Sequence, residues 1–489
     1  MTVALAAPHP AALDAARTVV AAGGGAVDAA VAGAAALAVA YPHQCSAGGD
    51  LVALFRPADG GTRAVLSIGA AATGIDVATL ARHERMPFAG PLTVTVPGAV
   101  AGWAGLATLG ARLPLADLLA PAIALAAEGV RASEGLRRAT RNRLDAVRAD
   151  PGLAALLIDT AGEPVDVLRQ PALARTLSTI ADDWTSFYRG RLAERLLAGL
   201  SRLGSPLEAA DLAAHRAEVV EPLSTTVGGV TWHAAPPPAQ GATLLALLGS
   251  DDLLTDAHRA QLARDALLGD PRGGPVDVDG LLLRSPVPAG REDPSPKPRG
   301  DTVAVTAVDT DGTAVTLIQS VFQSFGSGLL EPGTGLVLHN RGAAFSLRPG
   351  HPGRLQPGVR PPHTLCPALA ITEDTVVALG CQGGRSQAWI LAQVAEDVVD
   401  TGDLASVLAR PRWVIGSRDL GRTVDTLLLE PGIHGLGATA AALGFAVETA
   451  AGRHDDAGHV QVARLRNGVV DAAADPRADG LGDTLTRSR

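Results

Sequence analysis

The stretch "TVAVTAVDTDGTAVTLIQS", which begins at Thr302, is the most regular strand pattern in the chain and constrains the fold most strongly. Two apolar-rich runs flank Asp311-Gly312, a pair that favours a tight turn between antiparallel strands. The preceding residues 269–301 are rich in Pro, Gly and charge, and predict a loop that is exposed and mobile at least over 287–301. The sequence therefore predicts a core strand that starts abruptly after a loop.

Helices are predicted in front of this hairpin. Residues 11–41 have the pattern of two Ala-rich helices separated by glycines, with the second ending at Pro42, and residues 99–215 show helical apolar spacing. Residues 51–69 predict a further hairpin around an Asp-Gly-Gly turn. An α-rich first part and a β-rich second part follow, the latter with strands at 367–380 and 459–473 and a helix at 386–400.

Composition excludes several classes of function. With 47% hydrophobic and 19% charged residues among 489, the chain can bury a large core, as two domains or one large layered domain. A net charge of −9 and 3% aromatic residues argue against nucleic acid as a partner. The 12 histidines form no HExxH motif and no GxGxxG fingerprint occurs, so we expect neither a metal nor a cofactor.

The expected location is the cytoplasm. The three cysteines form no CxxC pair, which is typical of a reducing compartment. The N-terminus has no Lys or Arg before Arg17 and carries Pro8 and Pro10, so it is a poor secretory signal. The Ala-rich segment 26–42 contains Asp28 and is too short to cross a membrane, so no membrane association is expected.

Thr302 is the first candidate for chemistry. If the chain were cut just before it, Thr302 would carry a free α-amine, with a pKa near 8, beside its own hydroxyl. The amine could then take the hydroxyl proton, which makes an N-terminal threonine a nucleophile with its own base. The alternative is an ordinary strand start after a linker.

Two loops could assist such a nucleophile. "LGCQGGRSQ" lies between a predicted strand and a predicted helix, so the N–H groups of Gly383 and Gly384 could form an oxyanion hole, although such turns are common. "GVRPPHTLCP" places Arg360, His363 and Thr364 in a Pro-stiffened loop suited to an anion or a carbonyl. The alternative there is a structural or surface histidine.

Several collinear stretches along nearly the whole chain resemble the γ-glutamyltranspeptidase family of self-cleaving N-terminal-nucleophile enzymes. They are "AAGGGAVDAAVAGAAALAVAYPHQCSAGGD", "TVPGAVAGW", "FYRGRLAERL", "EPLSTTVGGVTWHAAPPPAQG", "GDTVAVTAVDTDGTAVTLIQSVFQSFGSG", "VRPPHTLCPALAI", "GCQGG", "ARPRW" and "ADPRADG". The resemblance implies an α+β fold, a four-layer αββα sandwich. It also implies self-cleavage between Asp301 and Thr302 into a large chain, 1–301, and a small chain, 302–489. Thr302 would be the nucleophile, with Gly383 and Gly384 as the oxyanion pair.

Departures from the family pattern bear on the substrate. Val303 replaces a second threonine that helps to orient the nucleophile, Gly69 stands at the place of the arginine that grips the glutamyl carboxylate, and Ala344 stands at the place of the acidic residue for the glutamyl amine. Charge-assisted hydrogen bonds contribute about 1.5–3 kcal/mol each, so losing both clamps should cost several kcal/mol of glutamyl recognition. Free γ-glutamyl compounds are therefore not the expected substrate.

The resemblance leaves a cationic and apolar set of candidate substrate-binding residues: Ser320, Phe322, Arg341, Arg360, His363, Thr364 and additionally Arg385. We expect a small-molecule amide or related acyl compound whose acyl part carries an anion or a polar carbonyl. The chain looks closer to atypical members of the family, which include an oxamate amidohydrolase and biosynthetic enzymes that remove an oxalyl group. Three hypotheses stay open: a self-processing amidohydrolase or acyltransferase, a biosynthetic oxalyl-removing enzyme, and an uncleaved pseudoenzyme. A homo-oligomer is compatible with each.

Overall fold

The computed structural model describes residues 1–286, 301–416 and 424–487. Most of the predicted loop 287–301 lies outside the described residues, and Asp301 is the first residue of a strand. The strands are β1 Thr2–Ala7, β2 Asp50–Arg56, β3 Arg63–Ser67, β4 Val130–Arg131, β5 Val167–Leu168, β6 Glu218–Val220, β7 Leu223–Val227, β8 Val230–Ala234, β9 Asp301–Asp309, β10 Ala314–Phe322, β11 Leu330–Glu331, β12 Leu336–Val337, β13 Ala368–Ile371, β14 Thr375–Gln382, β15 Trp413–Ile415, β16 Thr426–Leu429, β17 Ala446–Thr449, β18 His459–Arg466, β19 Val469–Ala474 and β20 Leu481–Thr486.

The helices of the described residues cover the sheets that these strands form. They are α1 Pro10–Ala21, α2 Ala26–Ala40, α3 Val77–Leu80, α4 Ala99–Gly110, α5 Leu115–Glu128, α6 Glu134–Asn142, α7 Leu144–Ala149, α8 Pro151–Leu157, α9 Pro171–Asp182, α10 Arg191–Arg202, α11 Ala209–Ala214, α12 Gly241–Leu245, α13 Leu253–Leu267, α14 Val278–Leu281, α15 Gln387–Ala392, α16 Ala395–Asp400, α17 Leu404–Ala409 and α18 Gly437–Ala442. None of them is long and apolar enough to cross a membrane.

Two large sheets form the centre of the molecule. The first has the strand order β20-β1-β9-β10-β2-β3-β6, and the second has the order β19-β18-β14-β13-β8-β7. In the first sheet, β9 pairs with β1 on one side and β10 pairs with β2 on the other. Strands from before and after residue 301 therefore alternate within one sheet.

The side chains of the two sheets meet in a shared apolar core. Ala304 and Ile318 of the first sheet belong to the same buried cluster as Leu369 and Ala378 of the second. On its other face, Val305 and Leu317 of the first sheet belong to a buried cluster with residues of α1, α2 and α4. Helices α12, α13 and α15 cover the second sheet from outside. The predicted αββα layering is confirmed.

Most predicted elements are present, and two differ. The predicted helix 386–400 is two short helices, α15 and α16. Strand β1, which the sequence did not indicate, lies between β20 and β9 and is almost wholly buried. A strand buried on both faces needs no alternation of apolar and polar residues, so its sequence shows no period of two. The predicted hairpins 51–69 and 302–320 are confirmed.

Candidate active site

Thr302, the predicted nucleophile, is the second residue of β9 and is buried. The register between β9 and β10 shifts after Gln319, so Ser320 and Val321 both oppose Thr302. Such a β-bulge bends the strand and redirects side chains. Phe322 follows with φ +79°, a strained value for a non-glycine residue. The bulge thus turns the Ser320 hydroxyl toward the start of β9.

The Ser320 hydroxyl links the predicted nucleophile to the predicted cleavage site. The Thr302 hydroxyl donates to Ser320 Oγ at 3.1 Å, and Ser320 Oγ donates to the carbonyl oxygen of Asp301 at 2.6 Å. The N–H of Phe322 also donates to Ser320 Oγ, at 2.8 Å. One hydroxyl therefore accepts from the nucleophile while it polarises the carbonyl that the nucleophile would attack.

The carboxyl group of Asp301 lies in an unusual environment. Burial raises its pKa to about 6, although a hydrogen bond with Ser324 and the charge of His459 act in the opposite direction. His459 lies opposite Gln382, the last residue of β14, and Gly383 follows directly. The predicted oxyanion turn is therefore at the end of the second sheet that also carries His459.

The packing of β14 on β9 supports the same placement. A Cβ atom built on Gly380 would lie 3.1 Å from the Cβ of Ala304, so the two strands cross in contact at this point. Gly383 follows the end of β14, three residues after the crossing at Gly380, and Thr302 lies on β9, two residues before the crossing at Ala304. The sheets thus bring the Gly383 turn and Thr302 to one region of the molecule.

Arg341 is a fully buried cation with free hydrogen-bond donors. Its guanidinium carbon lies 3.8 Å from the centre of the Phe322 ring, and its Nη1 donates to Thr364 Oγ1 at 3.2 Å. Among the described residues, its Nε and Nη2 atoms have no hydrogen-bond partner. Burial lowers its pKa to about 9, against the influence of Asp50, so it stays charged at neutral pH. Buried charges are normally paired, so these donors make Arg341 a candidate to bind an anion.

Asp50 is a second buried charge beside the site, and it lies opposite Ser320 across β2 and β10. Its Oδ2 lies 3.3 Å from His363 Nε2 and 3.4 Å from His339 Nδ1. Burial would raise the pKa of Asp50, but these two histidines hold it well below its usual range. Because His363 Nδ1 accepts from the N–H of Leu365 at 3.3 Å, its Nε2 carries the proton. Both ring nitrogens of His363 thus have partners within the protein.

Arg360 and Arg385 are already paired. Arg360 donates to both carboxylate oxygens of Asp270, at 3.1 and 2.8 Å, and to Glu218 at 2.7 Å. Arg385 forms an ion pair with Asp265. The structure therefore gives Arg360 the surroundings of a structural ion pair, whereas it brings Ser320, Phe322, Arg341 and Thr364 together near Thr302.

The turn at Gly383 and Gly384 has a backbone conformation that favours glycine. Both residues have positive φ, +148° and +55°, and a Cβ at Gly383 would lie 2.6 Å from Ile390. Within the described residues, neither amide N–H donates to a backbone carbonyl. The side chain of Gln240 donates to the carbonyl of Gly384 at 3.0 Å and to that of Thr364 at 2.5 Å. The turn is thus tied to the loop that holds Arg341.

The sequence did not indicate three residues of the site individually: Asp50, Gln240 and His339. Asp50 and Gln240 lie in stretches that carry the family resemblance, "SAGGD" and "PPPAQG", and His339 lies two residues before Arg341. Their partners are far away along the chain, so spacing alone could not show the contacts. The stretches themselves were the available signal.

Known proteins share this architecture along the whole chain. The family model described as gamma-glutamyltranspeptidase matches residues 12–270 and 276–484. The chain is 39% identical to the oxamate amidohydrolase proenzyme of Klebsiella pneumoniae subsp. pneumoniae, over 97% of both chains. It is 30% identical to the glutathione hydrolase-like YwrD proenzyme of Bacillus subtilis, over 97% of this chain and 96% of that one.

Solved structures agree with this relationship. The crystal structure of cephalosporin acylase from Bacillus halodurans superposes with a TM-score of 0.85 at 29% identity, covering 100% of this chain and 96% of that one. The fold is that of the N-terminal-nucleophile hydrolases, and several relatives are proenzymes. The chain belongs to the γ-glutamyltranspeptidase family.

Proposed function

We propose that the protein is a self-processing amidohydrolase. It cleaves its own chain between Asp301 and Thr302, and Thr302 then acts on a small amide whose acyl part carries a carboxylate. The observation that carries the proposal is the Ser320 hydroxyl, which links Thr302 Oγ1 to the Asp301 carbonyl oxygen. Two guanidinium nitrogens of Arg341 that have no hydrogen-bond partner among the described residues support a carboxylate as the recognised group.

Self-cleavage begins with attack of Thr302 Oγ1 on the Asp301 carbonyl carbon. The hydroxyl proton passes to Ser320, and Ser320 gives its own proton to the carbonyl oxygen as the C–O bond forms. When the C–N bond breaks, the amide nitrogen takes up a proton and the carbonyl is restored as an ester. Water then hydrolyses the ester and leaves a carboxylate on Asp301 and a free amine on Thr302.

In the mature enzyme, the Thr302 amine takes over as the base. It removes the proton of the Thr302 hydroxyl, which attacks the substrate amide and releases its amine. The N–H groups of Gly383 and Gly384, which donate to no backbone carbonyl of the described residues, are our candidates to stabilise the oxyanion. Water then hydrolyses the acyl-enzyme. With water replaced by an amine, the same steps would give acyl transfer.

The surroundings of Arg341 favour a carboxylate over a glutamyl group. Arg341 offers two free donors, whereas Ala344 offers no charge for an α-amine. No side chain fits at Gly69, because a Cβ there would lie 1.5 Å from the carbonyl oxygen of Val96. Oxamate, named in a relative that is 39% identical, has a carboxylate directly beside its amide. We therefore propose oxamate and similar short carboxy-amides as substrates, and a cytoplasmic location stays a prediction.

The intact mass of the purified protein tests the self-cleavage. We expect two chains that separate between Asp301 and Thr302, and a single chain for Thr302→Ala. Release of ammonia from oxamate, measured beside γ-glutamyl-p-nitroanilide and oxalyl-bearing carbon acids, tests the substrate class. A single uncut wild-type chain would favour a pseudoenzyme, and turnover of only the carbon acids would favour oxalyl removal by C–C cleavage.

A further inference from the structure

The side chain of Gln240 makes contacts with two loops of the site and with one helix of the outer layer. Gln240 is fully buried at the start of α12, directly after the turn that follows β8. Its Nε2 donates to the carbonyl oxygens of Thr364 and Gly384, and its Oε1 accepts from Arg264 Nε at 2.8 Å. All the hydrogen-bonding capacity of the amide nitrogen is therefore used within the protein.

The position of this amide group is itself fixed. A Cβ atom on Gly241, the next residue, would lie 2.2 Å from the carbonyl oxygen of Ala235, so the backbone packs closely on Ala235 here. Arg264 is 6% exposed and belongs to α13, a helix of the outer layer. The Gln240 amide is thus held from behind by one helix while it faces the two loops.

The two loops carry the two ends of the proposed substrate site. Thr364 accepts a hydrogen bond from Arg341, which would grip the carboxylate. Gly384 belongs to the turn that would bind the oxyanion. A single NH₂ group therefore spans the parts of the site that recognise the first and the last atoms of the acyl group.

We propose that Gln240 is a positioning residue that fixes the distance between the Arg341 guanidinium and the Gly384 turn. This distance would select substrates by the length of the acyl group. This inference rests on the proposed function. A rigid spacing allows both contacts for one acyl length only, because a displacement of about 1 Å from a productive geometry already costs about 100-fold in rate. Longer acyl groups would reach one end and miss the other.

The test compares three carboxy-amides that differ by one methylene each: oxamate, malonamate and succinamate. For the wild type we expect one of the three to be preferred at least 100-fold in kcat/KM. Gln240→Leu removes both donated bonds and should reduce this preference at least tenfold. Gln240→Asn keeps the amide group on a shorter side chain and should also alter this preference. It serves as the test variant if Gln240→Leu does not fold.

A matched control is available in Gln170. It is also buried, and its Nε2 donates to a backbone carbonyl, that of Val39, at 2.8 Å in another part of the chain. Gln170→Leu should lower the melting temperature with the length preference unchanged. If Gln240→Leu lowers kcat/KM for all three amides by the same factor, the proposal is wrong.

A binding experiment separates this inference from the proposed function. Oxalate, malonate and succinate carry the same carboxylates but need no turnover, and their stabilisation of the processed protein against heat reports the preferred length. A wild type that turns over none of the amides would overturn the proposed function. Equal stabilisation ratios in the wild type and Gln240→Leu would overturn the role of Gln240, whatever the activity.

Discussion

The replacement Arg341→Met removes the buried charge that we assign to the substrate carboxylate. Two guanidinium nitrogens are free to donate, and charge-assisted hydrogen bonds contribute about 1.5–3 kcal/mol each. A carboxylate that takes both would lose about 3–6 kcal/mol of binding, or ~10²–10⁴-fold in kcat/KM, in the variant. The loss should be confined to substrates that carry the carboxylate.

Pyruvamide provides the comparison, since it has a methyl group where oxamate has a carboxylate oxygen. We expect Arg341→Met to reduce kcat/KM for ammonia release from oxamate by ~10²–10⁴-fold. The rate with pyruvamide should stay within a fewfold of the wild-type rate. Because the variant also removes an unpaired buried charge, its melting temperature should not fall below that of the wild type. An equal loss for both substrates would refute the assignment of Arg341 to the carboxylate.

Three further predictions concern other residues of the site. Ser320→Ala should slow self-cleavage by ~10²–10³-fold, the usual effect of losing one oxyanion donor, while Ser320→Thr should still cleave; mass spectra over time measure both. In the uncut Thr302→Ala protein, the raised pKa of Asp301 contributes stability that is present below about pH 4 and is lost as the pH rises through about 6. In that background, Asp301→Asn should reduce the difference in unfolding free energy between about pH 4 and pH 8 by about 2 kcal/mol. Urea titrations at the two pH values measure this difference, and no change would contradict the burial of this carboxyl. Arg360→Met leaves the buried Asp270 without its partner and should cost about 3–5 kcal/mol of stability, with the preference for oxamate over pyruvamide unchanged.

Local sequence patterns predicted many helices and strands of the fold, whereas the family resemblance implied their αββα layering. The hairpin that begins at Thr302 shows its turn as Asp311-Gly312, and α1 and α2 show their boundary as a glycine run. Strand β1 was missed because a strand between two neighbours, with both faces covered, has no polar side to mark its period. The hairpin at Thr302 and α2 are just as buried, but a turn or a glycine run marks where they end, and this made them predictable.

The family resemblance added single positions to the candidate site. Ser320, Phe322 and Arg341 were found in this way, whereas Thr302 was already a candidate as the start of a strand after a loop; the structure places these four residues together. The pairing of Arg360 with Asp270 joins residues 90 positions apart, so its sequence neighbourhood could not show that its charge is already neutralised. Which charged groups pair with one another depends on tertiary contacts, and these decide which cation stays available to a ligand.

The alternation of strands in the first sheet affects how the processed protein unfolds and refolds. Strands β9 and β10 follow the proposed cut, yet they lie between β1 and β2, which precede it. After cleavage, neither polypeptide holds either of the two large sheets complete, and within each large sheet strands of one polypeptide pair with strands of the other. Unfolding would then release two separate chains, and their reassembly would depend on protein concentration, whereas the uncut precursor refolds as one molecule. Cleavage would thus convert a reversible folding equilibrium into an assembly that persists mainly because it unfolds slowly.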